Sequence, residues 1–258
     1  MIKHVCNLSV VPLRAEASHR SEIVTQVFFG ETFEILENGV DFDKVRLSHD
    51  QYEGWIQHGQ YGELGSEWNN EHQIVNLLGA KAVSAERVVS LLPGTSVYDN
   101  SIVIGKETYF ITGDLRTPNL EDFDKEFIRL IGHYRNAPYM WGGRTTLGID
   151  CSGFTQQVYK HFGISLLRDA YQQAESGQLV DFLSEIEPGD LAYFDNEAGH
   201  ITHVGIMLDS STIIHASGRI RIDQMDSNGI YNTDLQKYTH KLRIVKRYFD
   251  LKIENLEK

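Results

Sequence analysis

Residues 138–154 read Pro138-Tyr-Met-Trp-Gly-Gly-Arg-Thr-Thr-Leu-Gly-Ile-Asp150-Cys151-Ser152-Gly153-Phe154. The stretch puts a cysteine on the first turn of an expected helix, directly after a glycine-rich loop. Three effects converge there: the loop lets backbone approach a ligand, Asp150 is a good N-cap, and a helix N-terminus favours a thiolate. Those are the surroundings of a nucleophile. A plainer role stands beside it, because a free cysteine behaves as a small buried hydrophobe. Only partners elsewhere in the chain turn Cys151 into a catalytic candidate.

On either side of this stretch the hydrophobic period is helical. Thr117 as N-cap and Pro118 at the first helical position start one helix, with Leu120, Phe123, Phe127, Leu130, Ile131 and Tyr134 as its apolar stripe. Pro138 stops it. A second helix runs from Cys151 to Phe162, closed by Gly163, with Phe154, Val158 and Phe162 turned to the core. Arg168-Asp-Ala-Tyr-Gln-Gln then reads as a short helix or ordered loop, and Glu187-Pro-Gly-Asp190 as a turn. Strands follow at Leu191 to Phe194, His203 to Leu208 and Thr212 to Ser217, with another in Leu242 to Phe249. Helices followed by antiparallel strands make the C-terminal part α+β.

Before residue 117 the chain reads as β. Runs at Ile23 to Phe29, Thr32 to Leu36, Lys44 to Leu47 and Trp55-Ile56 alternate in part and are separated by turn glycines. Val88 to Thr95 and Glu107 to Thr112 look like a second, weaker copy. The expected division is a small β-barrel over 1–66, another over 67–116, and an α+β domain over 117–258.

Bulk properties exclude several classes. With 258 residues and 41% hydrophobic content the chain is long enough to bury a sizeable core. No run approaches eighteen apolar residues, which argues against membrane insertion. A formal net charge of −12 without a basic aromatic stripe argues against nucleic acid. Two cysteines, Cys6 and Cys151, do not make a disulfide framework, and the first residues lack the apolar core of a secretory signal. With Met1 as the native start, the expected location is cytoplasmic.

A nucleophilic thiol draws its base from a distant histidine. His203 and His215 fall on adjacent expected strands. A turn centred on Asp209 would set them directly opposite each other, with Cβ atoms about 5 Å apart. A one-residue slip would turn His215 to the wrong face. In that register His203 takes the thiol proton and His215 orients and polarises His203. A zinc site from His200, His203, His215 and Cys151 is the metal alternative; no metal or other cofactor is expected on the leading reading.

Asp150-Cys-Ser-Gly, His203-Val-Gly-Ile and Ile214-His215-Ala-Ser, in this order and spacing, resemble the NlpC/P60 family of cell-wall cysteine peptidases. The stretches Val24 to Glu31 and Tyr52 to Ile56 resemble the bacterial SH3 (SH3b) module. Together the likeness points to the dipeptidyl-peptidase VI (YkfC-like) branch. It implies a papain-like α+β domain behind two SH3b-like barrels, with Cys151, His203 and His215 as nucleophile, base and orienting residue. The implied substrates are peptidoglycan-derived peptides, cut between D-Glu and a diamino acid, with a free L-Ala amine. The implied substrate-binding residues are Tyr139, Trp141, Asp150, Ser152, Arg168 and Asp169, with Glu31 and Tyr61 from the first barrel. For Asp150 and Asp169, capping a helix competes with accepting that amine. An envelope hydrolase acting on intact wall, and a non-catalytic wall-binding protein, are the alternatives.

Overall fold

Short runs of β-branched and aromatic residues fold 4–63 into a seven-stranded antiparallel sheet in the computed structural model, which describes residues 3–65 and 72–249. The strands are β1 (His4–Cys6), β2 (Val10–Arg14), β3 (Ile23–Phe28), β4 (Thr32–Glu37), β5 (Phe42–Leu47), β6 (Glu53–Gln57) and β7 (Tyr61–Glu63). They lie in the order β3-β2-β6-β5-β4-β1-β7 around a core of Leu13, Val27, Phe33, Val45 and Ile56. β3 to β6 fall on the expected runs. β1, β2 and β7 have only three to five residues, too few for alternation to stand out.

A second sheet follows, built from β8 (Gln73–Val83), β9 (Val88–Leu91), β10 (Ser96–Val97), β11 (Ser101–Ile104) and β12 (Glu107–Arg116). β8 is its centre and was not legible in the sequence. Its alternation breaks midway, opposite an irregularity between Gly113 and Leu115 of β12. The expected junction between the two barrels, at residues 66 and 67, lies outside the described residues.

The rest is α+β. α1 (Phe123–Tyr134) buries the expected stripe, but it does not begin at Thr117 and Pro118. A single 3₁₀ turn, Leu120–Asp122, intervenes, capped by the Asn119 side chain, which accepts from the Glu121 N–H. The short asparagine closes that turn locally, so Thr117 is not the cap. After β13 (Arg144–Thr145) and β14 (Gly148–Ile149) comes α2 (Cys151–His161), then α3 (Ala170–Ala174). The last sheet contains β15 (Gln178–Leu179), β16 (Leu191–Asp195), β17 (Ile201–Met207), β18 (Thr212–Ser217), β19 (Arg219–Asp226), β20 (Gly229–Asn232) and β21 (Lys237–Arg247). β21 pairs with β16 on one side and β20 on the other, closing the sheet on itself. β19 and β20 were not anticipated from the sequence.

Ten of the eleven residues of α2 are buried, including Ser152, Gln156 and Gln157. Its apolar face lies on β17 and β18, and its polar side is covered by the N-terminal sheet. That cover is polar and specific. The Arg144 guanidinium donates to both carboxylate oxygens of Glu31 at 2.9 Å and to the Gln26 carbonyl at 2.7 Å. Gly142 closes the joint at φ +74, where a Cβ would lie 2.3 Å from the Ile23 carbonyl oxygen. Only glycine lets the loop come so close.

Candidate active site

Cys151 is the first residue of α2, as the sequence indicated, and Asp150 is its N-cap, accepting from the Gly153 N–H at 2.7 Å. The thiol faces β17, where the Val204 N–H reaches it. Burial pushes its pKa up to about 12, the Asp150 charge adds to the rise, and the Val204 N–H and Arg168 pull against it. The thiol is therefore held neutral, against the thiolate that a helix N-terminus alone would favour.

His203 is one residue before Val204 and buried. Its Nε2 lies 2.9 Å from Nδ1 of His215, so Nδ1 of His203 is the ring nitrogen outside that pair. The pairing differs in detail from the sequence expectation. Gly205, not His203, stands opposite His215, so the turn centres one residue later than Asp209 and the two histidines are diagonal neighbours. The offset is two residues in register, so both rings stay on one face. Gly205 makes the diagonal possible, since a Cβ there would lie 2.8 Å from the His215 Cβ.

Behind His215 stands a residue that the sequence did not reveal. Nε2 of His215 is 3.0 Å from Oδ2 of Asp223 on β19, and Arg221 donates to both oxygens of that carboxylate at 2.7 and 2.8 Å. Burial works against the Asp223 charge, but the hydrogen bonds from His215 and Arg221 win and hold its pKa below the usual range. The result is a chain His203–His215–Asp223–Arg221 with an ionised carboxylate in its middle. Burial, reinforced by His215 and His240, holds His203 well below the ordinary histidine value, and burial also lowers His215, against the pull of Asp223. The alternation of Arg221 and Asp223 on a strand was the signal available, and it needed β19 to be recognised.

His240 of β21 stacks on His203, with ring centroids 4.1 Å apart and planes at 24°. The ligand nitrogens of His203, His215 and His240 all lie within 4.8 Å of one another. A metal ion must lie in the plane of each imidazole it binds. The stacked rings direct their lone pairs side by side, so the arrangement does not suit a shared ion. His200, part of the zinc alternative, lies in the exposed turn before β17 and is absent from this cluster.

The residues expected to bind substrate separate into two groups. Tyr139 is half-buried near Cys151; burial, with the Asp150 carboxylate adding to it, raises its pKa. Trp141 is 59% exposed at the rim, its indole N–H bonded to Glu22 of the N-terminal sheet region. Asp169 is half-buried, accepts from the Tyr52 hydroxyl at 3.1 and 3.2 Å, and has no ion-pair partner among the described residues. Burial raises its pKa, against the pull of the Arg168 charge and the Tyr52 hydrogen bond, and Asp169 is also the N-cap of α3 in a capping box with Gln172.

The others are committed elsewhere. Asp150 accepts from Gly142 N–H, Gly153 N–H and the Arg168 guanidinium, so it is helix cap and ion-pair partner, not a free acceptor for an amine. Arg168 is buried, donating also to Ser152 Oγ and Thr25 Oγ1 at 2.9 and 2.8 Å. Arg168 and Ser152 thus brace the loop instead of reaching into the cleft. Glu31 is buried under Arg144, and Tyr61 bonds Asp43 and packs edge-on to Phe33 inside the first sheet. From the N-terminal sheet region it is Tyr52 that bonds Asp169 and Glu22 that bonds Trp141. Turn-borne and short-strand positions of this kind carry no period by which a sequence could align them.

Comparison with known proteins agrees with this architecture. Residues 136–239 match the NlpC/P60 family, and residues 13–60 match the bacterial dipeptidyl-peptidase SH3 domain. A gamma-D-glutamyl-L-lysine dipeptidyl-peptidase of Bacillus cereus is 34% identical over 110 residues, 42% of this chain and 32% of the relative. The chain thus spans about a third of the length of the first curated relatives it matches. Dipeptidyl-peptidase 6 of Lysinibacillus sphaericus is 23% identical over 86% of this chain and 92% of its own length. An NlpC/P60 family protein of Bacillus cereus has the same fold, with a TM-score of 0.76 and 18% identity over 95% of this chain and 99% of that structure.

Proposed function

This chain is an NlpC/P60-family protein with an N-terminal bacterial SH3 domain, and we propose that it is a cysteine peptidase that hydrolyses the γ-D-glutamyl–L-diamino acid bond of peptidoglycan stem peptides bearing a free N-terminal L-Ala. The observation that carries the reading is the hydrogen-bonded line His203–His215–Asp223 beside the strand whose Val204 N–H meets the Cys151 thiol, with the half-buried carboxylate of Asp169 held by the Tyr52 hydroxyl.

In this mechanism Cys151 Sγ attacks the γ-carbonyl carbon while Nδ1 of His203 takes the thiol proton. The developing oxyanion accepts from first-turn N–H groups of α2 that Asp150 leaves free. As the C–N bond breaks, His203 returns the proton to the departing amine, leaving a thioester. Water then attacks the thioester and gives a proton to His203. Collapse expels the thiolate, which is reprotonated, and the free γ-carboxylate leaves. His215, held by Asp223, fixes the ring of His203 and stabilises its charged form.

Substrate choice follows from Asp169 and Tyr52. An L-Ala ammonium would give Asp169 an ion-pair partner, with the Tyr52 hydroxyl fixing the carboxylate's direction. Because Tyr52 comes from the first sheet, that sheet closes one end of the cleft, and longer glycan-linked chains with acylated amines are disfavoured. The same division of labour assigns 1–66 and 67–116 to the SH3b-like barrels and 117–258 to the peptidase domain. Mass spectrometry of L-Ala-γ-D-Glu-L-Lys and its N-acetylated form tests the reading: the free tripeptide should be cut and the blocked one spared. Equal cleavage of both would remove the amine from the account.

A further inference from the structure

Two irregularities interrupt β21, and His240 lies between them. Against β16, the two-residue step from Ile244 to Leu242 answers a single step from Tyr193 to Phe194. Against β20, the two-residue step from His240 to Tyr238 answers a single step from Ile230 to Tyr231. Each is a bulge that leaves one extra residue on β21, first Arg243 and then Thr239. The bulge at Arg243 decides which way His240 points. Val245 and Leu242 both pack with Phe194, Met207, Ile213 and Ile230, and Phe194 stands opposite His203 on that face. Strict alternation from Val245 would turn residue 240 to the other face of the sheet; the extra residue returns it to the face that carries His203 and His215. The bulge at Thr239 then supplies a hydroxyl 2.9 Å from Nδ1 of His240.

What the ring does there follows from the bond that His203 already has. Nε2 of His203 is tied to His215 at 2.9 Å. One bond to one ring nitrogen fixes a point and leaves the ring free to swing about it. A flat group parallel to the ring removes that freedom. His240 is such a group, with 4.1 Å between centroids and 24° between planes, and it meets His215 edge-on at 5.6 Å and 82°. Burial, with His215 adding to it against Asp223, lowers the His240 pKa to about 4. At neutral pH the stacked ring is therefore uncharged and does not repel the charged form of His203.

We propose that His240 is a positioning residue for the base: its ring holds the plane of His203 while His215 holds Nε2, so that Nδ1 keeps one direction as it takes and returns the thiol proton. This rests on the reading of Cys151 and His203 as nucleophile and base.

Variants that fill the same space separate the plane from the bulk. His240→Phe keeps a flat ring; His240→Leu and His240→Met do not. On the free tripeptide, Leu and Met should each lower kcat about 10-fold or more with KM within about twofold of wild type, and Phe should restore kcat to within about threefold. Wild-type kcat in His240→Leu or His240→Met would overturn the proposal. An equal loss in all three variants would overturn it too, by assigning the effect to the ring nitrogens, and a loss carried wholly by KM would make His240 a substrate contact instead. Alkylation of Cys151 by iodoacetamide at pH 7 reads the same proton transfer without a peptide, and it should slow in the Leu and Met variants and not in Phe. A wild type that leaves the tripeptide uncut would overturn the substrate, not the clamp; equal labelling of all four proteins would overturn the clamp.

Discussion

Asp223 lies 3.0 Å from Nε2 of His215, on the side opposite to the one His215 offers to His203. A buried carboxylate thus fixes which nitrogen of His215 carries the proton. With Nε2–H donated to Asp223, Nδ1 of His215 is an acceptor for Nε2–H of His203. Nδ1 of His203 is then the unprotonated nitrogen, as a base for Cys151 requires. Asp223→Asn disturbs this order while conserving shape. The expected result is a fall in kcat of about 10²-fold or more with KM nearly unchanged, measured on the free tripeptide. Unchanged kcat would mean that Asp223 only packs.

The pH profile follows from the same burial. His203 is held well below 6.5 by desolvation and by its histidine neighbours. A lowered pKa keeps the base unprotonated as pH falls, so kcat/KM should persist through pH 6.5 and decline only in more acid solution. An acid limb centred at or above 6.5 would contradict that assignment of the base.

Fold and site were unequally legible in the sequence. Cys151 and Asp150 could be read because a glycine loop, a cap and a helical period coincide in a few residues. The His203–His215 pair could be read because its face survives a two-residue change in register. Asp223 could not, because β19 was unrecognised. Tyr52 and Glu22 could not either, because a contact across 117 or 119 residues between domains leaves no local pattern. Glu31 stood out as an acidic residue of the first barrel, but its buried pairing with Arg144 across the domain joint left no local pattern.

Recognition of the amine is assigned to Asp169 and Tyr52. Asp169→Asn removes the charge and keeps the shape, and should raise KM for the free tripeptide about 10-fold or more, as loss of a charge-assisted hydrogen bond would. Tyr52→Phe should act in the same direction and less strongly. Stability should change little in either, because Asp169 has no ion pair among the described residues to lose. An unchanged KM would move the amine elsewhere.

The joint between the first sheet and α2 rests on Glu31 and Arg144. Arg144→Met leaves Glu31 buried without its main partner and should cost about 3–5 kcal/mol, seen as a large drop in Tm. Burial opposes the Glu31 charge, but Arg144 overrides it and brings the pKa to about 2. A depressed acid pKa gives stability that is fully present above about 4.5 and is lost as pH falls toward 2. Wild type should therefore lose stability across that window, and Arg144→Met should lose less. Identical acid dependence in both would assign the acid sensitivity to other carboxylates.

The nucleophile itself is tested most directly by incubating L-Ala-γ-D-Glu-L-Lys with wild type and with Cys151→Ala and weighing the products by mass spectrometry. Wild type should release L-Ala-D-Glu and free L-Lys, while the variant leaves the tripeptide intact and keeps the wild-type fold by circular dichroism. Release of L-Lys by Cys151→Ala at the wild-type rate would contradict cysteine catalysis at this site.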